Sequence, residues 1–86
     1  MQVTLYSKPD CPLCEELKAD LLSLQAELGF DLAERNIEED PVDWQRFRTL
    51  IPVVDIAGGP TLFPPHAWDQ VRRALIDSSR REHGQG

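Results

Sequence analysis

The 86-residue sequence predicts a single α/β domain, and three observations carry that prediction. The hydrophobic pattern switches between a two-residue and a 3.6-residue period along the chain. The segments so defined run strand, helix, strand, helix, strand, strand, helix. Turn and cap residues punctuate most of the changes of period.

Gln2 to Tyr6 alternates polar and apolar residues, with Val3 and Leu5 on one face, and reads as the first strand. Ser7-Lys8-Pro9-Asp10 reads as a loop, because Pro9 breaks the pattern and Asp10 favours a turn or a cap. From Pro12 the spacing of Leu17, Leu21, Leu24 and Leu28 predicts a helix with one buried stripe. Pro12 is tolerated in its first turn, where the amide has no intrahelical acceptor, and Gly29 is placed to stop it. Phe30 to Ile37 reads as a second strand. Asp40-Pro41 is a helix-start signal, an N-cap followed by proline, and opens a short helix to about Arg48 with Trp44 and Phe47 facing inward.

Ile51-Pro52 then interrupts the chain. Val53 to Ile56 reads as a strand, Ala57-Gly58-Gly59 as a hairpin turn and Thr61 to Phe63 as the partner strand. Pro64-Pro65 ends that strand, and Trp68, Val71, Ala74 and Leu75 form the buried stripe of a last helix. Both tryptophans are therefore expected in the core. The domain is expected to span residues 1–82, with 83–86 a loose tail. The first strand–helix–strand unit should be a right-handed crossover with parallel strands. The later hairpin should add an antiparallel edge.

Composition narrows the function. A net charge of −6, with no basic cluster larger than Arg72-Arg73 or Arg80-Arg81, argues against nucleic acid as a partner. No stretch approaches the roughly 18 apolar residues of a membrane span, so no membrane partner is expected. Val3 to Tyr6 is strand-like where a secretion signal would be apolar and helical. The expected location is cytoplasmic, where structural disulfides are rare. Two cysteines within one four-residue motif then point to chemistry.

Cys11-Pro12-Leu13-Cys14 sets two thiols three positions apart at a strand-to-helix junction, within reach of a disulfide. At a helix N-terminus the unpaired amides and the dipole favour a thiolate on Cys11. Lys8 adds positive charge nearby, and Asp10 opposes it. Cys11 is then the nucleophile and Cys14, one turn inward, the resolving thiol. The same spacing also suits half of a zinc site. Only His66 and His83 are available to complete one, and they do not form a closely spaced pair, so no metal ligand is assigned. A cis proline at Pro52 would hold Ile51 extended beside the thiols, ready to pair with a substrate backbone. The candidate substrate-binding residues are Lys8, Pro12, Leu13, Ile51 and Pro52. His66 reads equally as an acid–base group near the thiols or as a surface residue, and Tyr6 as packing.

The stretch Val3 to Cys14 resembles the opening of the glutaredoxins, in the thioredoxin superfamily, where a strand and a lysine precede Cys-Pro-Tyr-Cys. Asn36 to Pro41 is similar to the acidic segment of that family, and Leu50-Ile51-Pro52 to its Thr-Val-Pro, which carries a cis proline. The resemblance covers roughly residues 2 to 80 and is nearest to the short bacterial glutaredoxin-like proteins. It implies a thioredoxin-like fold, a four-stranded mixed β-sheet flanked by three α-helices. It also implies reducing equivalents from glutathione or a thioredoxin-type donor. Leu13 stands where the family has tyrosine. Phe63 to Ala67 stands where it has Gly-Gly and acidic residues that bind glutathione. These departures predict weak glutathione binding.

The expected function is thiol–disulfide oxidoreduction by a monomer with no bound cofactor, acting on protein or mixed disulfides. A thioredoxin-like docking module whose thiols only sense redox state is the alternative, and a metal or cluster carrier is a third reading.

Overall fold

The computed structural model describes residues 1–84. Its elements are β1 (Gln2–Ser7), α1 (Pro12–Leu28), β2 (Asp31–Asn36), α2 (Pro41–Phe47), β3 (Val53–Ile56), β4 (Thr61–Leu62) and α3 (Trp68–Gly84), with one 3-10 turn over Ile37–Glu39. The four strands form one mixed sheet in the order β2-β1-β3-β4. β1 and β2 run parallel, while β3 is antiparallel to both β1 and β4. The expected architecture is thus the one observed.

Alternation along the strands divides the core between two faces of the sheet. Val3 and Leu5 of β1 and Val54 and Ile56 of β3 pack with Leu17, Leu21 and Leu24 of α1 and with Val71 and Leu75 of α3. Tyr6 and Val53 point the other way and meet Ile37 and Phe47, with Ile51 packed against them. The Tyr6 and Phe47 ring centroids lie 4.5 Å apart. Two helices therefore cover one face, and α2 covers the other beside the end of β1.

Local signals set the helix ends. Gly29 adopts the left-handed conformation (φ 77°), and its amide donates to the Gln25 carbonyl at 2.8 Å, closing α1. The Asp40 carboxylate accepts from the amides of Val42 and Asp43 at 2.8 and 3.3 Å, with Pro41 in the first turn of α2.

Four expectations need correction. Trp44 and Trp68 are not core residues: they are 40% and 41% exposed. Trp68 opens α3 before the helix reaches the sheet, and on the short α2 Phe47 reaches the core through Tyr6 while Trp44 does not. Phe30 and Ile37 lie outside β2, although both are buried. Phe63 lies beyond β4 and is 46% exposed. In the supposed tail, His83 and Gly84 belong to α3, and residues 85–86 lie outside the described residues.

Candidate active site

β1 ends at Ser7, and the loop that follows turns the chain into α1 through Asp10, whose φ of 58° is left-handed. Aspartate tolerates this conformation better than most side chains. Cys11 is the N-cap of α1. Its backbone is extended (φ −116°, ψ 100°), and its Sγ accepts from the Cys14 amide at 3.2 Å. Its carbonyl accepts the first helical hydrogen bond, from the Glu15 amide at 3.1 Å. A residue in this position faces the unpaired amides of the helix mouth, where negative charge is stabilised.

Cys11 and Cys14 are joined by a disulfide, with their Cα atoms 5.2 Å apart. Cys11 is half-buried, whereas Cys14 is only 1% exposed. When the bond opens, only the first sulfur is placed to meet a partner from solvent, and the second stays one turn inward behind it.

The remaining sequence-predicted residues surround this pair unevenly. Pro12 and Leu13 stand exposed on the first turn of α1, Leu13 at 63%. Pro52 is buried, follows a cis Ile51–Pro52 peptide bond, and lines a groove of about 510 Å³ together with Leu13 and Leu17 of α1 and Pro64, Pro65 and His66 of the β4–α3 loop. Ile51 is half-buried, and its amide donates to the Phe47 carbonyl at 3.1 Å, tying it to the end of α2. Lys8 lies in a separate depression on the other flank of the helix mouth, with Glu15, Glu34 and Glu39.

His66 has a place that spacing along the chain did not reveal. Its Nε2–H donates to the Pro52 carbonyl at 2.6 Å, bridging fourteen positions. The Pro64–Pro65 bond is also cis; the Pro-Pro pair and the place of Phe63 to Ala67 in the resemblance pointed to this wall, but not to the bond from His66 to Pro52. A second supporting network sits behind α2: Asp43, 5% exposed, accepts from Arg35 Nε at 2.9 Å, and Asp40 accepts from Arg35 Nη2 at 3.2 Å. The hydrogen bond and charge of Asp43 hold the Arg35 guanidinium above its ordinary range. Likewise the Glu34 carboxylate, 3.0 Å from Lys18 Nζ, raises that ammonium. Among the described residues, no three His, Cys, Asp or Glu side chains converge as a metal site, and none of the helices is long and apolar enough to cross a membrane.

A family model described as Glutaredoxin-like domain (DUF836) matches residues 2–76. A solved structure of structural-genomics target XcR50 from X. campestris is 24% identical, covering 87% of this chain and 96% of that one with a TM-score of 0.74. Thioredoxin 1 from Thermosipho africanus is 12% identical over 96% and 99% of the two chains, with a TM-score of 0.80. These likenesses show a thioredoxin-type fold. No curated protein matches the sequence.

Proposed function

The chain belongs to the glutaredoxin-like domain family (DUF836), and on that premise we propose that it is a thiol–disulfide oxidoreductase working through Cys11 and Cys14. The observation that carries this reading is the cysteine pair itself: a half-buried Cys11 capping α1, bonded to a buried Cys14.

In the reduced protein, the Cys11 thiolate attacks one sulfur of a substrate disulfide. A Cys11–substrate bond forms, the substrate bond breaks, and the departing thiolate takes a proton. Cys14 then loses its proton and attacks Cys11 Sγ, re-forming the internal disulfide and releasing the second substrate thiol. Two electrons pass from the protein to the substrate. A thioredoxin-type dithiol or glutathione restores them by the same exchange in reverse. The amides at the mouth of α1 favour the thiolate that starts the cycle. Leu13, Pro12, Ile51 and Pro52 make up the surface that holds the substrate, and Lys8 meets it from the other flank of the helix mouth. The cytoplasm, where thiols are kept reduced, suits such a cycle.

The reading is tested with a coupled disulfide-reduction assay on the parent, Cys11→Ser and Cys14→Ser. Cys11→Ser should be inactive, and Cys14→Ser should accumulate mixed disulfides visible by mass spectrometry. Full activity of Cys11→Ser refutes the assignment. Reversible oxidation without turnover on any disulfide would leave a redox-sensing module instead.

A further inference from the structure

The groove that begins at Leu13, the residue preceding Cys14, joins two chemistries. Its floor is apolar, built from Leu13 and Leu17 on α1 and from Pro64 and Pro65 across it. Its rim carries Glu16 and Asp20, which fall on the same stripe of α1 as the two leucines. Carboxylates four apart on a helix repel one another, yet neither has a cationic partner among the described residues. On the other flank, Lys8 shares its depression with Glu15, Glu34 and Glu39. Lys18 neutralises Glu34. Lys18 also faces Glu15, and Arg35 shares a depression with Glu39, so among the described residues Glu16 and Asp20 are the carboxylates beside the groove left without a neighbouring cation, on a chain whose net charge is −6.

A ligand fitting these features brings an apolar side chain for the floor and a cation for the rim. Glutathione fits neither feature well: it has no large apolar group, and its two carboxylates outweigh its one ammonium, leaving it a net anion. We infer that the groove selects protein disulfides whose reacting cysteine is flanked by an apolar side chain and a lysine or arginine, in preference to glutathione, with Glu16 and Asp20 setting the preference. This rests on the redox reading above. The chemistry is the same exchange: Cys11 joins the substrate sulfur, Cys14 displaces it, and the Cys11/Cys14 dithiol supplies both electrons.

The test uses the full chain, pre-reduced with dithiothreitol and then freed of it. The substrates are oxidised glutathione and three peptides with one internal disulfide and a leucine beside the reacting cysteine. The peptides differ only in a neighbouring Lys, Gln or Glu. Each rate is divided by the rate of the same substrate with dithiothreitol, which removes differences in intrinsic reactivity. The Lys peptide should exceed the Glu peptide about tenfold at low salt, equivalent to about 1.4 kcal/mol. It should also exceed glutathione. The ratio should shrink towards one at 1 M salt, where the screening length falls to about 3 Å. E16Q/D20N should bring the Lys:Glu ratio below about threefold, and a general loss of activity in that variant cancels in the ratio. Equal rates for the Lys and Glu peptides overturn the inference while leaving the redox reading intact, as does a preference unchanged in E16Q/D20N or faster reduction of glutathione. Failure to reduce any of the four substrates sinks the redox reading, and this inference with it.

Discussion

Gly58 and Gly59 stand side by side in the β3–β4 turn for different physical reasons, and substituting each with alanine separates them. Gly59 needs to be small. A Cβ there would lie 2.5 Å from Ser78 Oγ on α3 and 3.1 Å from Ile56 Cγ2, and Ser78 is itself buried. Ordinary contact begins near 3.4 Å, so the serine oxygen has to yield by almost an ångström. Overpacking of this kind costs roughly 1–3 kcal/mol. Against that, losing a glycine stiffens the unfolded chain, worth about 0.4–1 kcal/mol in the opposite direction. Gly59→Ala should therefore destabilise by about 1.3 kcal/mol. Gly58 has nothing within 4 Å of its would-be Cβ but sits at φ 77°, so Gly58→Ala should cost about 1–2 kcal/mol through its backbone alone.

The assay is urea denaturation of both variants with and without Ser78→Ala. Removing Oγ should rescue Gly59→Ala by about 1 kcal/mol and leave Gly58→Ala unchanged. The 3.3 Å hydrogen bond from Arg81 to Ser78 is lost in both arms and cancels. A coupling below about 0.3 kcal/mol between positions 59 and 78 would refute the close approach. The approach matters to the site, because this hairpin leads into the Pro64–His66 wall of the groove.

Three further outcomes follow from the packing. His66→Ala removes the donor to the Pro52 carbonyl and should lower stability by about 1–3 kcal/mol if that acceptor goes unpaired; an unfolding curve that overlays the parent's would show that the bond contributes nothing. Arg35→Ala leaves the Asp43 carboxylate buried without its strongest partner and should cost about 1.5–3 kcal/mol, more than the isosteric Asp43→Asn, an order that the same urea titration checks. Leu21→Ala, at a fully buried position, should cost about 2.7–5 kcal/mol, whereas Leu22→Ala, 47% exposed, should cost under about 1 kcal/mol; comparable losses at the two positions would contradict the assigned face of α1.

The backbone plan was legible because its signals are local. Gly29 ends α1, Asp40 and Pro41 begin α2, and the leucine stripe of α1 faces the sheet, each through interactions spanning a few residues. The cysteine pair was legible for the same reason: capping by Cys11 and contact with Cys14 both lie within one helical turn. Periodicity was less informative about Trp44 and Trp68. It states which residues share a helical face, not whether a neighbouring element covers that face.

Sequence alone therefore determined the order of elements, the parallel crossover, the hairpin and the placement of Cys11 and Cys14 at the mouth of α1. Tertiary structure decided that His66 braces Pro52, that Gly59 lies against Ser78, that Asp43 is buried under Arg35, and that Glu16 and Asp20 rim the apolar groove. The physical reason is range. Hydrogen-bonded turns, caps and helical stripes are set by neighbours along the chain, whereas contacts across loops and between sheet and helix exist only after the sheet has brought distant segments together.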